Sequence, residues 1–393
     1  MSPKLIDRLT SERARQVGAT LSLQTSIPTP GLITLSGGTP DFPTPPHIVE
    51  AGQRALADGH TTYTAWAGLP ILREAIAEKL QRDNGIHADP GHEILVTAGS
   101  QAGLMSLILA TFDPGDELIV PMPFYEEYAR NLMLAGAKLV PVATRMEDAF
   151  EVDPAAIEQA ITPRTKGILL ISPSNPTATV LGKETLLRIA DLATRHDLLV
   201  ISDELYERFV YDDFQHHSIA ALPGMWERTV VINGFSKCYS MTGWRVGYVA
   251  ARREVIEAMI PITHGMTICA PSVSQWAALA AYTGPQEWFG DVLAEYDRRR
   301  QCWMTSLDAM GLGYGHPRGA YYITVDVRPT GLTARQFSAL VRTEAGVMIS
   351  GGGSDPHNEY YVRGSLTTSF DKLEEALARM GPVVERLRSE AGQ

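Results

Sequence analysis

The sequence predicts an α/β protein: a three-layer α/β/α large domain on a mainly parallel seven-stranded sheet, followed by a smaller α+β domain. Three observations carry this. Seven short runs rich in Val, Ile and Leu recur between residues 94 and 251, with amphipathic stretches between several of them. The alternation stops near residue 285. The chain, at 393 residues, is also longer than one hydrophobic core usually serves.

The elements follow in order. Residues 1–45 are rich in Pro, Gly, Ser and Thr, and are expected to run as an arm across the molecule and join the smaller domain. Residues 46–285 form the large domain. Its strands are expected at 94–98, 117–121, 139–142, 167–172, 198–202, 229–233 and 245–251. Helical patterns fall at 101–112, 125–135, 154–161 and 183–196, with Pro154 after Asp153 marking a helix start. Apolar strands alternating with amphipathic helices imply a sheet covered on both faces. Residues 286–393 form the smaller domain, with a long helix at 286–310, strands at 321–327, 347–350 and 360–365, and helices at 334–344 and 371–387.

Composition narrows the function. Hydrophobic residues make up 45% of the chain and charged residues 20%, an ordinary balance for a globular protein. The net charge of −11 and the lack of a basic block argue against nucleic acid or an anionic membrane as partner. Cys238, Cys269 and Cys302 are odd in number and far apart, which suggests free buried thiols. No apolar signal segment opens the chain, and the longest apolar region, 268–282, is interrupted by Pro271 and too short to span a bilayer. A cytoplasmic protein is expected. The histidines are scattered, and His216 and His217 are adjacent in an expected loop, so no metal site is expected.

In parallel α/β sheets, ligands bind outside the carboxyl ends of the strands. Lys237 follows one such end, in Asn233-Gly-Phe-Ser-Lys237, among small and apolar residues. A lysine drawn out of water keeps its amine uncharged and nucleophilic more readily than a surface lysine does. Asp203 ends another strand, and Arg245 lies eight residues beyond Lys237. Thr97-Ala-Gly-Ser-Gln101 leads from a strand into a helix whose N-terminus favours an anion. Each alone has an ordinary structural reading as a helix cap or a strand-edge charge. Together they put an acid, an amine, an arginine and a helix N-terminus on one rim.

These residues, with motifs in the same order along nearly the whole chain, resemble the pyridoxal-phosphate-dependent aminotransferases of fold type I, class I/II. The motifs are Leu35-Ser-Gly-Gly-Thr-Pro-Asp-Phe-Pro-Thr-Pro45, Tyr63-Thr-Ala-Trp-Ala-Gly-Leu-Pro70, Thr97-Ala-Gly-Ser-Gln101, Pro123-Phe-Tyr-Glu-Glu-Tyr128, Ser172-Pro-Ser-Asn-Pro-Thr177, Asp203-Glu-Leu-Tyr206, Ser236-Lys237 with Gly243-Trp-Arg245, and Tyr361-Val-Arg-Gly-Ser365. The resemblance implies pyridoxal 5′-phosphate as cofactor and exchange of an amino group between an L-amino acid and a 2-oxo acid. It casts Lys237 as the Schiff-base lysine and proton carrier. Asp203 is cast as the partner of the pyridinium nitrogen, and Tyr206 and Asn175 as donors to the ring oxygen. Tyr125 would stack on the ring. Gly99, Ser100, Gln101, Ser236 and Arg245 would hold the phosphate, with Tyr63 reaching it from a second subunit of a homodimer. Arg363, Gly38 and Asn175 would meet the substrate carboxylate. The resemblance also suggests a cis peptide bond before Pro176.

The chain departs from the family pattern in four places. Ala178 stands where glycine is usual, and Cys238 follows the lysine where threonine is common. Residues 349–354 form a Gly- and Ser-rich segment, expected to be mobile, in place of a Pro-Gly-containing run. Trp66 occupies a position where a small residue is common, and is expected to narrow the pocket of the partner subunit. No second arginine marks a clamp for a side-chain carboxylate, so aspartate is not assumed as donor. The same lysine and aspartate would also serve β-elimination, decarboxylation or oxidation. A non-enzymatic regulator would need a DNA-binding segment that the sequence does not display.

Overall fold

A computed structural model describes residues 9–20, 31–351 and 359–392. Residues 1–8 and 21–30 of the arm, and 352–354 of the 349–354 segment, lie outside the described residues. A short strand β1 (Ile33–Thr34) precedes the main sheet. That sheet contains β2 (Ile94–Thr97), β3 (Glu117–Met122), β4 (Lys138–Ala143), β5 (Thr165–Ile171), β6 (Leu199–Asp203), β7 (Thr229–Gly234) and β8 (Gly247–Ala250). All seven expected strands are present, in the order β2-β8-β7-β6-β5-β3-β4. Only β8 runs against its neighbours. The other contacts are parallel.

The strand sequences explain the layers. Side chains alternate across a sheet, so a strand apolar at every position must be covered on both sides. In β5, Ile168 and Leu170 enter one core cluster and Leu169 the other. Ile119 opposes Leu118 and Val120 in the same way, and Val200 opposes Ile201. Leu186 and Ile189 of helix Lys183–Arg195 cover one face. Leu104 and Leu107 of helix Ser100–Thr111 cover the other.

Four helices of this region escape the sequence reading: Pro46–Ala57, Pro70–Lys79, Arg253–Thr267 and Ser272–Thr283. Pro261 lies inside the third and hides it. The fourth has no polar stripe because it packs against the first two, so it shows no helical period. A helix also forms at Glu12–Thr20, inside the expected arm. Arg245 is not in a strand: it has φ 51°, in the left-handed region, and β8 starts at Gly247.

The C-terminal part contains β9 (Tyr322–Asp326), β10 (Val347–Met348), β11 (Ser350–Gly351) and β12 (Tyr361–Ser365). The expected strand at 347–350 is two strands with different partners. β10 pairs in parallel with β1 from the N-terminal segment, while β11 joins the antiparallel sheet β11-β12-β9. The long helix spans Trp288–Met310. Its Arg299 binds both Asp41 oxygens, at 2.8 and 2.9 Å, and the Leu366 carbonyl at 2.9 Å. The loop at 36–41 and the end of β12 are thereby tied to one side chain.

Of the three free thiols only Cys238 is buried; Cys269 and Cys302 are partly exposed, against expectation. Ala178 is buried with φ 59°, a conformation that costs any residue with a Cβ, which gives a physical reason for glycine elsewhere. Among the described residues, no helix is long and apolar enough to cross a membrane.

Trp303 is fully buried behind β12, with its indole N–H on the Ser365 carbonyl at 3.3 Å. A Cβ on Gly364 would lie 2.7 Å from its ring. Trp303→Ala should destabilise the fold by about 3–5 kcal/mol. Chemical denaturation checks this, and a loss below about 1 kcal/mol would contradict the packing.

Candidate active site

The carboxyl ends of β2, β3, β5, β6 and β7 meet the entry to β8 on one rim. Lys237 lies three residues beyond β7 and is half-buried. Its Nζ donates to the Gly38 carbonyl at 2.7 Å and lies 5.8 Å from the centre of the Tyr206 ring. The Tyr321 hydroxyl donates to the same carbonyl at 3.0 Å. A Cβ on Gly38 would lie 3.1 Å from the Tyr322 hydroxyl, so glycine lets this loop reach the amine.

Asp203 is the last residue of β6. One carboxylate oxygen accepts from the Tyr128 hydroxyl and the other from the Leu205 N–H at 3.2 Å. The residue keeps some exposed surface, but its carboxylate is deep enough for desolvation to raise its pKa from 3.8 to about 6. Tyr128, the Leu205 N–H and Lys237 pull against that rise, and Glu204 adds to it. Tyr128 is buried, and burial followed by the Asp203 charge pushes its own pKa up, so it stays a donor.

Gly99 precedes helix Ser100–Thr111 with φ 82° and no side-chain cap. The first N–H groups are therefore free to meet an anion. A Cβ at Gly99 would lie 2.6 Å from a guanidinium nitrogen of Arg245. The bare backbone leaves a cradle with an arginine as one wall. Arg245 also donates to the Thr242 carbonyl at 3.0 Å. Ser236 is buried just before the lysine, and Gln101 donates to Asn131 at 3.4 Å.

Arg363 comes from β12. It donates to Asn175 Oδ1 and the Ser36 carbonyl, each at 2.9 Å, and lies 4.6 Å from the Tyr322 ring centre. Its Nε is buried without a partner. The Asn175–Pro176 peptide bond is cis. The Tyr206 and Tyr322 hydroxyls are 2.9 Å apart. Tyr125 is part-exposed, edge-on to Tyr128 at 5.9 Å. Tyr63 is 76% exposed, so this chain alone does not bring it into a packed group.

Sequence reasoning missed three residues here. Tyr128 carried a readable signal: it lies three residues after Tyr125, within one motif. Tyr321 and Tyr322 carried none, since only the chain's return through β9 brings them to Gly38 and Tyr206.

The chain matches the family described as aminotransferase class I and II over residues 30–380. The chain belongs to this family. It is 44% identical over 356 residues to an aspartate aminotransferase of Pyrococcus abyssi, covering 90% of this chain and 92% of that one. It is 39% identical to aromatic-amino-acid aminotransferase 2 of Thermococcus litoralis, covering 97% and 98%. A crystal structure of an aromatic aminotransferase from Pyrococcus horikoshii is 42% identical and superposes with a TM-score of 0.90 over 95% of this chain and 98% of that one. This aminotransferase is therefore an enzyme of amino-group transfer with the fold of type I members.

The raised pKa of Asp203 has a stability cost in this aminotransferase. A carboxyl whose folded pKa lies above its unfolded value stabilises the fold fully below the unfolded pKa and loses that contribution as pH rises through the folded one. With 3.8 raised to about 6, the loss is on the order of 3 kcal/mol. Asp203→Asn should therefore stabilise the cofactor-free protein at pH 8. Its advantage should grow between about pH 4 and pH 6 and stay level above. Denaturant titrations at several pH values check this, and an advantage independent of pH would contradict it.

Proposed function

We propose that the protein exchanges an amino group between an L-amino acid and a 2-oxo acid by a ping-pong mechanism, with pyridoxal 5′-phosphate as cofactor. One observation supports this best: the Lys237 amine, the Asp203 carboxylate and the Gly99–Arg245 cradle open on the same rim. The cradle suits a phosphate, because arginine's planar fork and helix N–H groups both favour that anion. The orphaned Arg363 Nε suits a further acceptor, such as a carboxylate. The residues present therefore fit the cofactor and its substrate.

In this reading Gly99, Ser100, Gln101, Ser236 and Arg245 hold the phosphate, and Tyr125 covers one face of the ring. Asp203 pairs with the ring nitrogen and keeps it protonated. Tyr206 and Asn175 donate to the ring oxygen. When bound, the cofactor supplies the sink for electrons released at the substrate Cα. Arg363 and the Gly38 N–H hold the substrate carboxylate, with Asn175 fixing the arginine. That clamp turns the Cα–H bond toward Lys237. The Lys237 amine would take the proton from the substrate Cα and act as the proton carrier of the exchange. Residues 46–285 thus carry the cofactor side. Residues 286–393 and the first 45 carry the carboxylate side. Tyr63 reaches the phosphate of a second subunit in a homodimer, in keeping with its exposure. Soluble cytoplasmic operation fits the same reading.

The named relatives make aspartate and aromatic amino acids the first donors to test. A suitable donor should abolish the visible absorption of the loaded protein, and a 2-oxo acid should restore it. Loss without return contradicts transamination. Lys237→Ala should lower turnover by about 10²–10⁴-fold or more, and near-normal turnover contradicts its role. Trp66 is 57% exposed and tilted over His264 at 4.7 Å, free to line a partner's pocket. Trp66→Ala should shift the ratio of donor efficiencies, and an unchanged ratio removes Trp66 from the pocket.

A further inference from the structure

Asp203 ends β6, and Tyr206 lies in the turn that follows as the chain leaves the sheet, so the carboxylate sits where the ladder stops supporting the backbone. The two remaining acids of the turn, Glu204 and Glu207, point into a buried network behind it. Glu204 is fully buried. One of its oxygens accepts from the Ser202 hydroxyl at 2.8 Å and the Ser218 hydroxyl at 2.6 Å. The other faces the Asn84 amide at 3.3 Å and His216 Nε2 at 3.1 Å. Asn84 also donates to Glu207 at 2.8 Å. The buried Lys79 ammonium closes the network, donating to Asn84 Oδ1 at 2.7 Å and pairing with Glu207. Glu204, Glu207 and His216 bring potential metal-ligand atoms within 4.8 Å of one another, but the chain's own ammonium already supplies the cation.

We propose that Glu204 is a positioning residue for amino-group transfer. Anchored by Ser202, Ser218, Asn84 and His216, it fixes from behind the strand end and turn that present Asp203 and Tyr206 to the site. This rests on the cofactor reading of Asp203 given above. The Glu204 backbone N–H also donates to the Ile232 carbonyl at 3.0 Å. Ile232 lies in β7, the strand that leads to Lys237, so one residue ties the acid's turn to the amine's strand. A carboxylate suits the task because it only accepts, and four donors converge on its two oxygens. Glutamine has a single acceptor oxygen and would set its own N–H groups against two of those donors. A half-satisfied buried network is costly and does not hold its shape.

The test uses the full chain freed of cofactor and two probes. Pyridoxamine 5′-phosphate forms no covalent bond with Lys237 and reads the Asp203 end together with the phosphate cradle. Inorganic phosphate reads the cradle alone. Glu204→Gln should weaken pyridoxamine 5′-phosphate binding about tenfold and leave phosphate binding unchanged. Unchanged binding of both probes, or equal losses for both, would overturn the proposal, because a merely structural role cannot separate them. If Glu204→Gln does not fold, Ser218→Ala removes one of the four donors. It should weaken pyridoxamine 5′-phosphate about threefold with phosphate unaffected, and no change would overturn the proposal. If the native chain itself fails to bind pyridoxamine 5′-phosphate, the cofactor reading falls, a result distinct from the failure of Glu204.

Discussion

An amine and a carboxylate share one half-dry rim, and the fold keeps them from neutralising each other. Lys237 turns to the Gly38 carbonyl, and Asp203 turns to Tyr128. Opposite charges in a low-dielectric pocket attract strongly, and a direct ion pair would be the simplest resting state. Each group has its own partner instead. The Gly38 loop must arrive from the N-terminal segment, and Tyr321 must arrive from β9 to share its carbonyl.

The segment at 33–41 is accordingly bound to the C-terminal part of the chain. β1 pairs with β10, and Arg299 grips Asp41 and Leu366 together. Ser36, two residues before Gly38, accepts from Arg363. The N-terminal loop therefore touches both the amine and the arginine. A shift of the C-terminal sheet against the main sheet would move it between them. The Arg363 Nε on this side is buried with no hydrogen-bond partner, a donor left unsatisfied.

The main sheet was legible because its signal is local. Uninterrupted Val, Ile and Leu runs imply two covered faces, and a glycine after a strand implies a turn into a helix. Lys237, Asp203, Arg245 and Gly99 stand out at strand ends for the same reason. The rest of the site needs information that the sequence does not hold locally. Tyr322 meets Tyr206 across 116 residues, and Asn175 meets Arg363 across 188. The left-handed Arg245 looks like a strand residue in sequence, because its packing against Gly99 joins residues 146 positions apart. The helix at Ser272–Thr283 vanished into an apolar run because its neighbours bury it on several sides.

Which amine would take the proposed cofactor decides the role of Lys237. Borohydride reduction of the loaded protein, followed by peptide mapping, reads that directly. The pyridoxyl group is expected on Lys237 alone. A label on another lysine, such as the buried Lys79, or no stable label at all, would contradict it.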